Sequence, residues 1–358
     1  MEKDISLERF RSRIDGIDEK LLKLLNERGR IAKEIGRVKA KQGDKVLSAS
    51  RESDILTRLS SHNKGPMSPE AIGDIFQSIF ATCRSLQKRL TIAYFGPEAT
   101  FTHQVAIKHF GRDCEFTAVP SISDVFFEVE RKRADFGVVP IENSTEGVVN
   151  HTLDMFMESD LQIVAEREEA IAQNLLSISG KIKNIKSVYS HPQALAQCRK
   201  WLDSHLPGVV LHTAASTADA AVHATLDGSC AAIASLLAGQ IYHLKPVALG
   251  IEDTAENATR FLVIGNKAAE ATGKDKTSIL LSVKDRVGAL YDILQPFREA
   301  GVNLTKIESR PTKKKAWEYI FFVDFIGHQS EKRVQTALKG LGPQCNHMKI
   351  LGSYPYGV

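Results

Sequence analysis

The sequence predicts a multidomain protein with an all-α segment of three helices, an α/β segment in two lobes and a βαββαβ unit. An apolar heptad pattern fills residues 5–42. From Thr91 short apolar runs alternate with helical patterns. A polar linker, 266–276, separates this part from the βαββαβ unit. We place the three domains at residues 1–90, 91–267 and 277–354.

Composition excludes several classes of protein. The 358 residues suffice for two or three domains, and 43% hydrophobic with 25% charged residues is ordinary globular composition. The net charge of +4 is small, and the basic run Lys313–Lys315 fits a solvated hairpin tip better than a nucleic-acid patch. No apolar leader and no run of about 18 apolar residues is present, so neither secretion nor a membrane span is indicated.

Cysteine and histidine usage indicates neither a disulfide framework nor a metal site. The five cysteines are odd in number and never at CxxC spacing, as expected of small buried residues in a reducing cytoplasm. The 11 histidines show no HExxH pattern and no pairing with cysteine. We therefore predict a cytoplasmic protein without metal or cofactor.

The first helix is too long to bury its apolar stripe within one chain. At 1.5 Å per residue it would span ~57 Å, more than the width of a small domain. The two shorter helices, from about Arg51 to His62 and after Ser68-Pro69-Glu70, an N-cap followed by proline, cannot cover it. A partner chain is therefore expected, as a homodimer or higher homo-oligomer.

Polar residues interrupt these apolar stripes. Arg28 shares a heptad position with Ile14, Leu21 and Ile35, so its guanidinium needs an anion. An internal carboxylate or a path to water would also satisfy it. Lys39 faces nearly the same way, and Gln87 follows Cys83 by one turn on the third helix.

Residues 5–90 resemble the all-helical chorismate mutase family, which implies a pericyclic conversion of chorismate to prephenate. Catalysis would consist of holding a folded dianion and stabilising charge on the breaking ether oxygen, with Lys39 and Gln87 at that oxygen. The resemblance implies that the residues binding chorismate are Arg11, Arg28, Lys39, Ser48, Arg51, Glu52, Cys83 and Gln87. Arg11 lies ~25 Å along the helix from Arg28 and would come from the partner chain. Ser48 replaces an acidic residue of some members and Cys83 a serine, which leaves a silent mutase domain as an alternative.

The middle segment reads as α/β with a cleft between two lobes. The predicted strands are Ile92–Phe95, Phe116–Val119, Phe136–Ile141, Ile163–Ala165, Leu175–Ser177, Val188–Ser190, Val209–His212, Ala231–Ala234 and Phe261–Ile264. The predicted helices include Ile122–Arg131, Ala194–Leu202 and Thr217–Ala224. Polar clusters at 257–261, 140–147 and 189–193 adjoin strand ends, where open α/β sheets bind ligands.

These clusters, with Gly96-Pro97, Thr100-Phe101-Thr102 and Ser216-Thr217-Ala218, resemble prephenate dehydratase over about residues 91–266. The family loses a ring hydroxyl and a carboxylate together, giving phenylpyruvate, water and CO2. It implies Thr259 as the hydroxyl donor to the leaving oxygen, supported by Arg260 or a nearby network. The implied prephenate-binding residues are Glu142, Asn143, Ser144, Ser190, Gln197, Ser216, Thr217, Arg260 and Phe261. His191 is either a turn residue or a ligand, and Ser216-Thr217 also fits a helix N-cap.

The last unit reads as strand 277–283, helix 288–300, strands 302–310 and 316–326, helix 330–341 and strand 346–352. This order is that of a ferredoxin-like split βαβ. Its motifs resemble the ACT regulatory domain, which implies L-phenylalanine as effector at a dimer interface. The implied effector-binding residues are Gly288, Ala289, Leu290, Asn303, Leu304, Glu308, Ser309, Arg310 and Pro311. A plain αβ plait used for dimerisation is the alternative.

Together the three resemblances predict an enzyme that converts chorismate to prephenate and then to phenylpyruvate in L-phenylalanine biosynthesis, with feedback inhibition by phenylalanine. The alternatives are a dehydratase with a silent mutase domain, or a two-lobed amino-acid sensor without catalysis. Prephenate dehydrogenase is disfavoured because no GxGxxG follows the first α/β strand.

Overall fold

A computed structural model describes residues 2–42, 47–254, 257–283, 286–311 and 319–356, with side chains from Leu7 onward. The basic run Lys313–Lys315, predicted to be a hairpin tip, lies outside these residues. Two compact units form: one contains the chain up to Leu90 together with Phe110–Glu115, and the other contains Thr91–His109 and the chain from Phe116.

Three helices build the first unit: Glu2–Gln42 (α1), Ala49–His62 (α2) and Pro69–Gln87 (α3). Serine side chains cap the two shorter helices, because Ser48 accepts the N–H of Arg51 and Ser68 accepts that of Ala71. Pro69 takes the first helical position, as predicted. The predicted starts of these two helices are therefore confirmed to within two residues, whereas α1 begins three residues before its predicted start.

Helices α1 and α3 meet backbone to backbone. A Cβ added at Gly36 would lie 2.7 Å from the Cα of Gln87, so only glycine permits this approach. The rest of the α1 stripe is left uncovered within the described chain. Its exposed apolar residues are Leu7, Phe10, Ile14, Ile17, Leu21, Leu22, Leu24, Leu25, Ile31, Ile35 and Val38.

The second unit opens with a six-stranded sheet of order β2-β1-β3-β11-β5, in which β4 also pairs with β3. Its strands are Thr91–Phe95 (β1), Glu115–Val119 (β2), Phe136–Asn143 (β3), Gly147–Val148 (β4), Gln162–Ala170 (β5) and Ala258–Gly265 (β11). The helices between them are Phe101–Phe110 (α4), Ile122–Glu130 (α5) and Asn150–Glu158 (α6).

A second sheet has the order β10-β6-β9-β7-β8. Its strands are Asn174–Ser177 (β6), Ser187–Ser190 (β7), Val210–Thr213 (β8), Cys230–Ala234 (β9) and Lys245–Ala248 (β10). Its helices are Pro192–Gln197 (α7), Arg199–His205 (α8), Thr217–Ala224 (α9) and Leu236–Ile241 (α10). The sequence predicted one helix over Ala194–Leu202, whereas the structure has two, joined at Cys198.

Strand direction brings two distant polar segments together. β1 and β3 are parallel, but β11 is antiparallel to β3, so the start of β11 lies at the carboxyl end of β3. Thr259 is thereby opposite Asn143, and Arg260 is opposite Glu142. The predicted strand began at Phe261; the observed one begins at Ala258, which places Thr259 and Arg260 inside the sheet.

The chain then forms a third sheet of order β13-β14-β12-β15. Its elements are Asp275–Val283 (β12), Ala289–Glu299 (α11), Leu304–Pro311 (β13), Tyr319–Ile326 (β14), Lys332–Leu341 (α12) and Cys345–Pro355 (β15). The predicted βαββαβ order is confirmed. Asp275 and Lys276, assigned to the linker from the sequence, belong to β12 and are buried.

The two faces of the third sheet have different partners. Ile279 and Leu281 pack with residues of α11 and α12, such as Phe297 and Val334. Leu280, between them, points the other way into a core shared with the first sheet. The two sheets approach closely at Gly352, where an added Cβ would lie 2.2 Å from the carbonyl oxygen of Ile163.

Candidate active sites

The hydroxyl of Thr259 accepts a hydrogen bond from a side-chain amide whose orientation is fixed. Asn143 Nδ2 lies 2.8 Å from Thr259 Oγ1 and 2.8 Å from Asn257 Oδ1. Asn143 Oδ1 in turn accepts from the N–H groups of Thr145 (3.0 Å) and Glu146 (3.1 Å) and from the Thr145 hydroxyl (2.6 Å). Because three donors hold the amide oxygen, the NH2 group must face Thr259.

This arrangement leaves Thr259 able to donate. An amide NH2 can only donate, so Thr259 Oγ1 is the acceptor in their bond and its own proton remains available. Both residues are 9% exposed, and hydrogen bonds gain strength where water is scarce. The pair is suited to deliver a proton, or a strong hydrogen bond, to an oxygen that acquires negative charge.

A chain of amides continues from this pair to the second sheet. Asn257 Nδ2 donates to Gln197 Oε1 at 3.2 Å, and Gln173 Nε2 donates to the same oxygen at 3.2 Å. Next to this chain is a cavity of about 250 Å³. It is lined by Thr145, Ala196, Gln197, Lys200, Glu252, Asp253, Thr254 and Asn257. Gln197, predicted to bind substrate, therefore lines the cavity and also accepts a hydrogen bond from Asn257, which in turn accepts from Asn143.

The other predicted hydroxyls have structural partners. Ser144 Oγ accepts the N–H of Ala258 at 3.0 Å and fixes the start of β11. Ser190 is fully buried and donates to the carbonyl of Ile233 at 2.7 Å. Ser216 caps α9 by accepting the N–H of Asp219 at 2.9 Å, with Thr217 as the first helical residue, so the N-cap alternative is confirmed. Phe261 is buried in the sheet at 2% exposure.

Glu142 and Arg260 lie on the opposite face of the sheet from Asn143 and Thr259, since successive residues of a strand alternate. Arg260 pairs with Glu166 and Asp324, each at 2.7 Å. Glu142 pairs with Lys306 at 2.6 Å. The structure therefore does not bring Arg260 to the Thr259 hydroxyl; the supporting network is that of Asn143.

The charge of Arg260 is secure in this setting. Burial alone would lower the pKa of the Arg260 guanidinium, but the nearby Asp324 and Glu166 carboxylates outweigh it and raise that pKa. Tyr354, whose hydroxyl is 3.1 Å from Arg260 Nη2, has a raised pKa because it is buried and lies beside Asp324. Arg260 is thus a permanent cation beside a tyrosine hydroxyl that keeps its proton.

In the first unit, Arg28 is half-buried and its contacts are with Cys83 and Phe80. Arg28 Nη1 lies 2.7 Å from Cys83 Sγ, and its guanidinium lies 5.3 Å from the ring centre of Phe80. Gln87 Nε2 donates to the Cys83 carbonyl at 3.4 Å. Within the described chain, Gln87 Oε1 is a buried atom without a hydrogen-bond partner. Arg28, Cys83 and Gln87 are therefore brought together, as the sequence predicted.

The remaining predicted mutase residues are less closely grouped. Arg11 and Arg51 are exposed, and Lys39 is half-buried. Ser48 serves as the N-cap of α2, a role that an acidic side chain would fill equally well. Glu52 pairs with Arg84 at 2.5 Å. Arg84, with a side chain only 7% exposed, was not singled out in the sequence; its place next to Cys83 on the apolar face of α3 was the available signal.

The predicted effector residues fall into two groups. Gly288 is the N-cap of α11, followed by Ala289 and Leu290 in its first turn, and Asn303 accepts the N–H of Ile326 just before Leu304 begins β13. The second group, Glu308, Ser309, Arg310 and Pro311, ends β13. Within it, Arg310 pairs with Asp154 of α6 at 2.9 Å, so this side chain connects the third sheet to the first.

Among the described residues, no helix is both long and apolar enough to cross a membrane. The same residues hold no cluster of three His, Cys, Asp or Glu side chains suited to a metal ion. All five cysteines carry free thiols.

Three family models match the chain in succession: chorismate mutase type II over residues 10–88, prephenate dehydratase over 92–269 and the ACT domain over 277–343. The chain is 50% identical over 353 residues to a bifunctional chorismate mutase/prephenate dehydratase of Aquifex aeolicus, covering 98% of each chain. It is 44% identical over 358 residues to the bifunctional enzyme of Pseudomonas aeruginosa, again covering 98% of each.

A solved structure supports the same assignment for the second unit. The prephenate dehydratase of Arthrobacter aurescens in complex with L-Phe is 34% identical and superposes with a TM-score of 0.69, covering 75% of this chain and 90% of that one. The chain belongs to the family of bifunctional chorismate mutase/prephenate dehydratases, which join an isomerase to a lyase, and it carries an ACT domain.

Proposed function

We propose that prephenate is dehydrated at Thr259, with Asn143 as the group that orients it. Breaking the bond to the carboxylate releases CO2; its electron pair completes the aromatic ring and expels the ring hydroxyl. The Thr259 hydroxyl donates its proton to that oxygen, which leaves as water, and Thr259 recovers a proton from solvent. Asn143 stabilises the charge that grows on Thr259 Oγ1 during the transfer.

The observation that carries this proposal is the direction of the 2.8 Å bond between Asn143 Nδ2 and Thr259 Oγ1. A threonine is too weak an acid to give up its proton unaided at neutral pH, so it needs a donor on its own oxygen. Gln197, beside the cavity, would contact the substrate, whereas Ser144, Ser190 and Ser216 would shape the site through the backbone they hold.

In the helical unit we assign the chorismate rearrangement to Arg28, Lys39 and Gln87. Arg28 binds a carboxylate, while Lys39 and Gln87 stabilise the ether oxygen as its bond breaks; no proton transfer is required. Arg11 lies 17 residues before Arg28 on α1, ~25 Å away, so it would serve the site of a second copy. The uncovered apolar stripe of α1 supports a homodimer or higher homo-oligomer.

The ACT domain would bind L-phenylalanine and inhibit the dehydratase. The relative from Arthrobacter aurescens was solved with L-Phe, and the N-terminus of the eleven-residue α11 offers N–H groups to a carboxylate. We place the enzyme in the cytoplasm, where its five free thiols would persist.

A coupled assay with Thr259→Ala and Thr259→Ser tests the assignment. The wild type should consume chorismate and form phenylpyruvate, with the second signal suppressed by L-phenylalanine. Thr259→Ala should consume chorismate, accumulate prephenate and still bind it, while Thr259→Ser should keep part of the turnover. Normal turnover in Thr259→Ala would overturn the role of Thr259, and chorismate left untouched would indicate a silent mutase domain.

A further inference from the structure

A buried network of charges joins the first sheet to the third. Its six charged members are Glu142, Glu166, Arg260, Lys276, Lys306 and Asp324, three of each sign. Their side chains are between 7% and 35% exposed. Buried charges are stable only when they are paired and hydrogen-bonded, so these residues constrain one another's positions. We call this set the intersheet charge cluster.

The third sheet encloses one edge of the Arg260 guanidinium. Arg260 Nη2 lies 2.7 Å from Asp324 Oδ2 and 3.1 Å from the Tyr354 hydroxyl. Ser278 donates to Asp324 Oδ1 at 2.5 Å, and its oxygen is 2.6 Å from that of Tyr354. Arg260 is therefore held by three strands of the third sheet, β14, β15 and β12, through a closed ring of one ion pair and three hydrogen bonds.

Arg260 is the chain neighbour of Thr259 on strand β11. The two side chains point to opposite faces, so one backbone segment carries the catalytic hydroxyl on one face and the cluster cation on the other. The pairing of β11 with β3 is irregular between Arg260 and Phe261. A force on the Arg260 side chain thus acts on a locally irregular strand, one residue from the hydroxyl that Asn143 must meet at 2.8 Å.

On the other side, Asp324 adjoins the first group of proposed effector residues. Leu304 pairs with Phe325, and the N–H of Ile326 donates to the Asn303 carbonyl at 2.9 Å. Asp324 immediately precedes Phe325 on β14. An amino acid bound at Asn303 and Leu304 would therefore act on the strand that holds Asp324.

We propose that Asp324 is a positioning residue for the dehydratase reaction: it holds Arg260, and through Arg260 the place of Thr259, so that effector binding changes turnover by moving this pair. The inference rests on the proposed function of Thr259. It supplies a physical path, a chain of directly bonded groups, between the effector residues and the reacting hydroxyl.

The test is Asp324→Asn in the full-length chain. The amide keeps the size of the side chain and an acceptor for Ser278 but removes the charge that pairs with Arg260. We expect half-inhibition of the variant to require about tenfold more L-phenylalanine, or inhibition to be lost altogether. The affinity for L-phenylalanine, measured by calorimetry, should stay within about threefold of wild type. The kcat for prephenate should fall with little change in KM, and mutase activity serves as the folding control.

Lys349→Gln is the matched control. Lys349 of β15 also connects the third sheet to another element of the unit: it donates to the carbonyls of Phe156 in α6 (3.3 Å) and of Ser159 at the end of that helix (2.5 Å). Its hydrogen bonds and ion pair among the described residues do not involve β11. The L-phenylalanine concentration that half-inhibits Lys349→Gln should stay within about twofold of wild type, well below the tenfold change expected for Asp324→Asn. If both variants lose inhibition, general docking of the two sheets matters and the proposal fails.

Two further outcomes would overturn the proposal. If Asp324→Asn were inhibited by the same L-phenylalanine concentrations as the wild type, the Asp324–Arg260 pair would not connect the effector residues to Thr259. Loss of L-phenylalanine binding would show that Asp324 supports the effector pocket instead. Should Asp324→Asn fail to fold, Tyr354→Phe removes one bond to Arg260 and should shift inhibition in the same direction by a smaller factor. Failure of the Thr259 assignment would be seen separately, as normal turnover in Thr259→Ala.

Discussion

Gly36 of α1 lies so close to Gln87 of α3 that a single Cβ at position 36 would come within 2.7 Å of the Gln87 Cα. The proposed mutase site therefore depends on a backbone-to-backbone approach of two helices. The side chain of Gln87 begins at the point of contact, so any separation of the helices moves it directly.

Gly36→Ala should lower chorismate turnover while sparing the dehydratase. The added methyl must displace α3 by a fraction of an ångström or more, and misplacement by about 1 Å can cost on the order of a hundredfold in rate. Gly16→Ala is the control, because it lies on the same helix and, among the described residues, nothing beyond the helix's own backbone and the chain neighbours lies within 4 Å of the added Cβ. That change should retain activity and stabilise α1 by about 0.5–1 kcal/mol. Equal mutase rates in the two variants would contradict the proposed role of the contact.

Glu52→Gln should destabilise the helical unit more than the double change Glu52→Gln with Arg84→Met. The single change leaves the Arg84 guanidinium, 7% exposed, without its carboxylate. Removing one partner of such a pair costs about 3 kcal/mol, whereas replacing both by neutral groups is close to neutral. Urea unfolding followed by helix content measures the difference, and a double variant less stable than the single one would contradict it.

Asn143→Asp should lower dehydratase kcat by about 10²–10³-fold with little change in KM. A carboxylate cannot donate to Thr259 Oγ1; it would accept the threonine proton instead and place a negative charge beside a departing hydroxide. The measurement is steady-state turnover of prephenate, with thermal unfolding alongside. Turnover near wild type in a well-folded variant would rule out the proposed orientation of Thr259.

The second unit should lose stability as the pH falls from about 7 to about 5. His103 is 5% exposed, and its Nδ1 accepts the N–H of Ala99 at 3.1 Å, which requires the neutral ring. Burial lowers the pKa of His103 below its ordinary value, despite the opposing charge of Glu98. The unfolded chain therefore binds the proton first, so the contribution is present above the unfolded pKa and is lost as the pH drops through the folded one.

His103→Gln should flatten this dependence, because it removes the titrating group while leaving an amide oxygen to accept the Ala99 N–H. The comparison is the urea midpoint of the second unit across the same pH range. An unchanged slope in the variant would assign the acid sensitivity to other groups.

The sequence predicted the features that depend on residues close together in the chain, such as helix starts and the order of the elements. Ser68-Pro69 announces α3 because a capping hydroxyl and a fixed φ act within one turn. The βαββαβ order follows from apolar periodicity. Strand β4, with two residues, is too short to show such a pattern, and β10 contains Pro246, which argues against a strand.

The sides on which the site residues lie could not be predicted. Whether Arg260 faces Thr259 or the third sheet depends on β11 starting at Ala258 and on its antiparallel pairing with a strand over 100 residues earlier. The pairing of Arg84 with Glu52 and the contact of the Asn143 amide with Thr259 likewise depend on folded neighbours distant in sequence. Motifs locate the site residues, and only the register of the strands divides them between the two faces.

The contact between Gly352 and Ile163 fixes one edge of the third sheet against the first sheet. Backbone meets backbone there, so β15 cannot come closer to β5 at this point without a clash. The strand order β13-β14-β12-β15 puts β15 at this contact and β13 at the opposite edge of the sheet, three strand spacings or ~14 Å away. Were the third sheet to turn about that contact, a displacement at the start of β13 would move Asp324, which lies two of the three strand spacings from β15, about two-thirds as far.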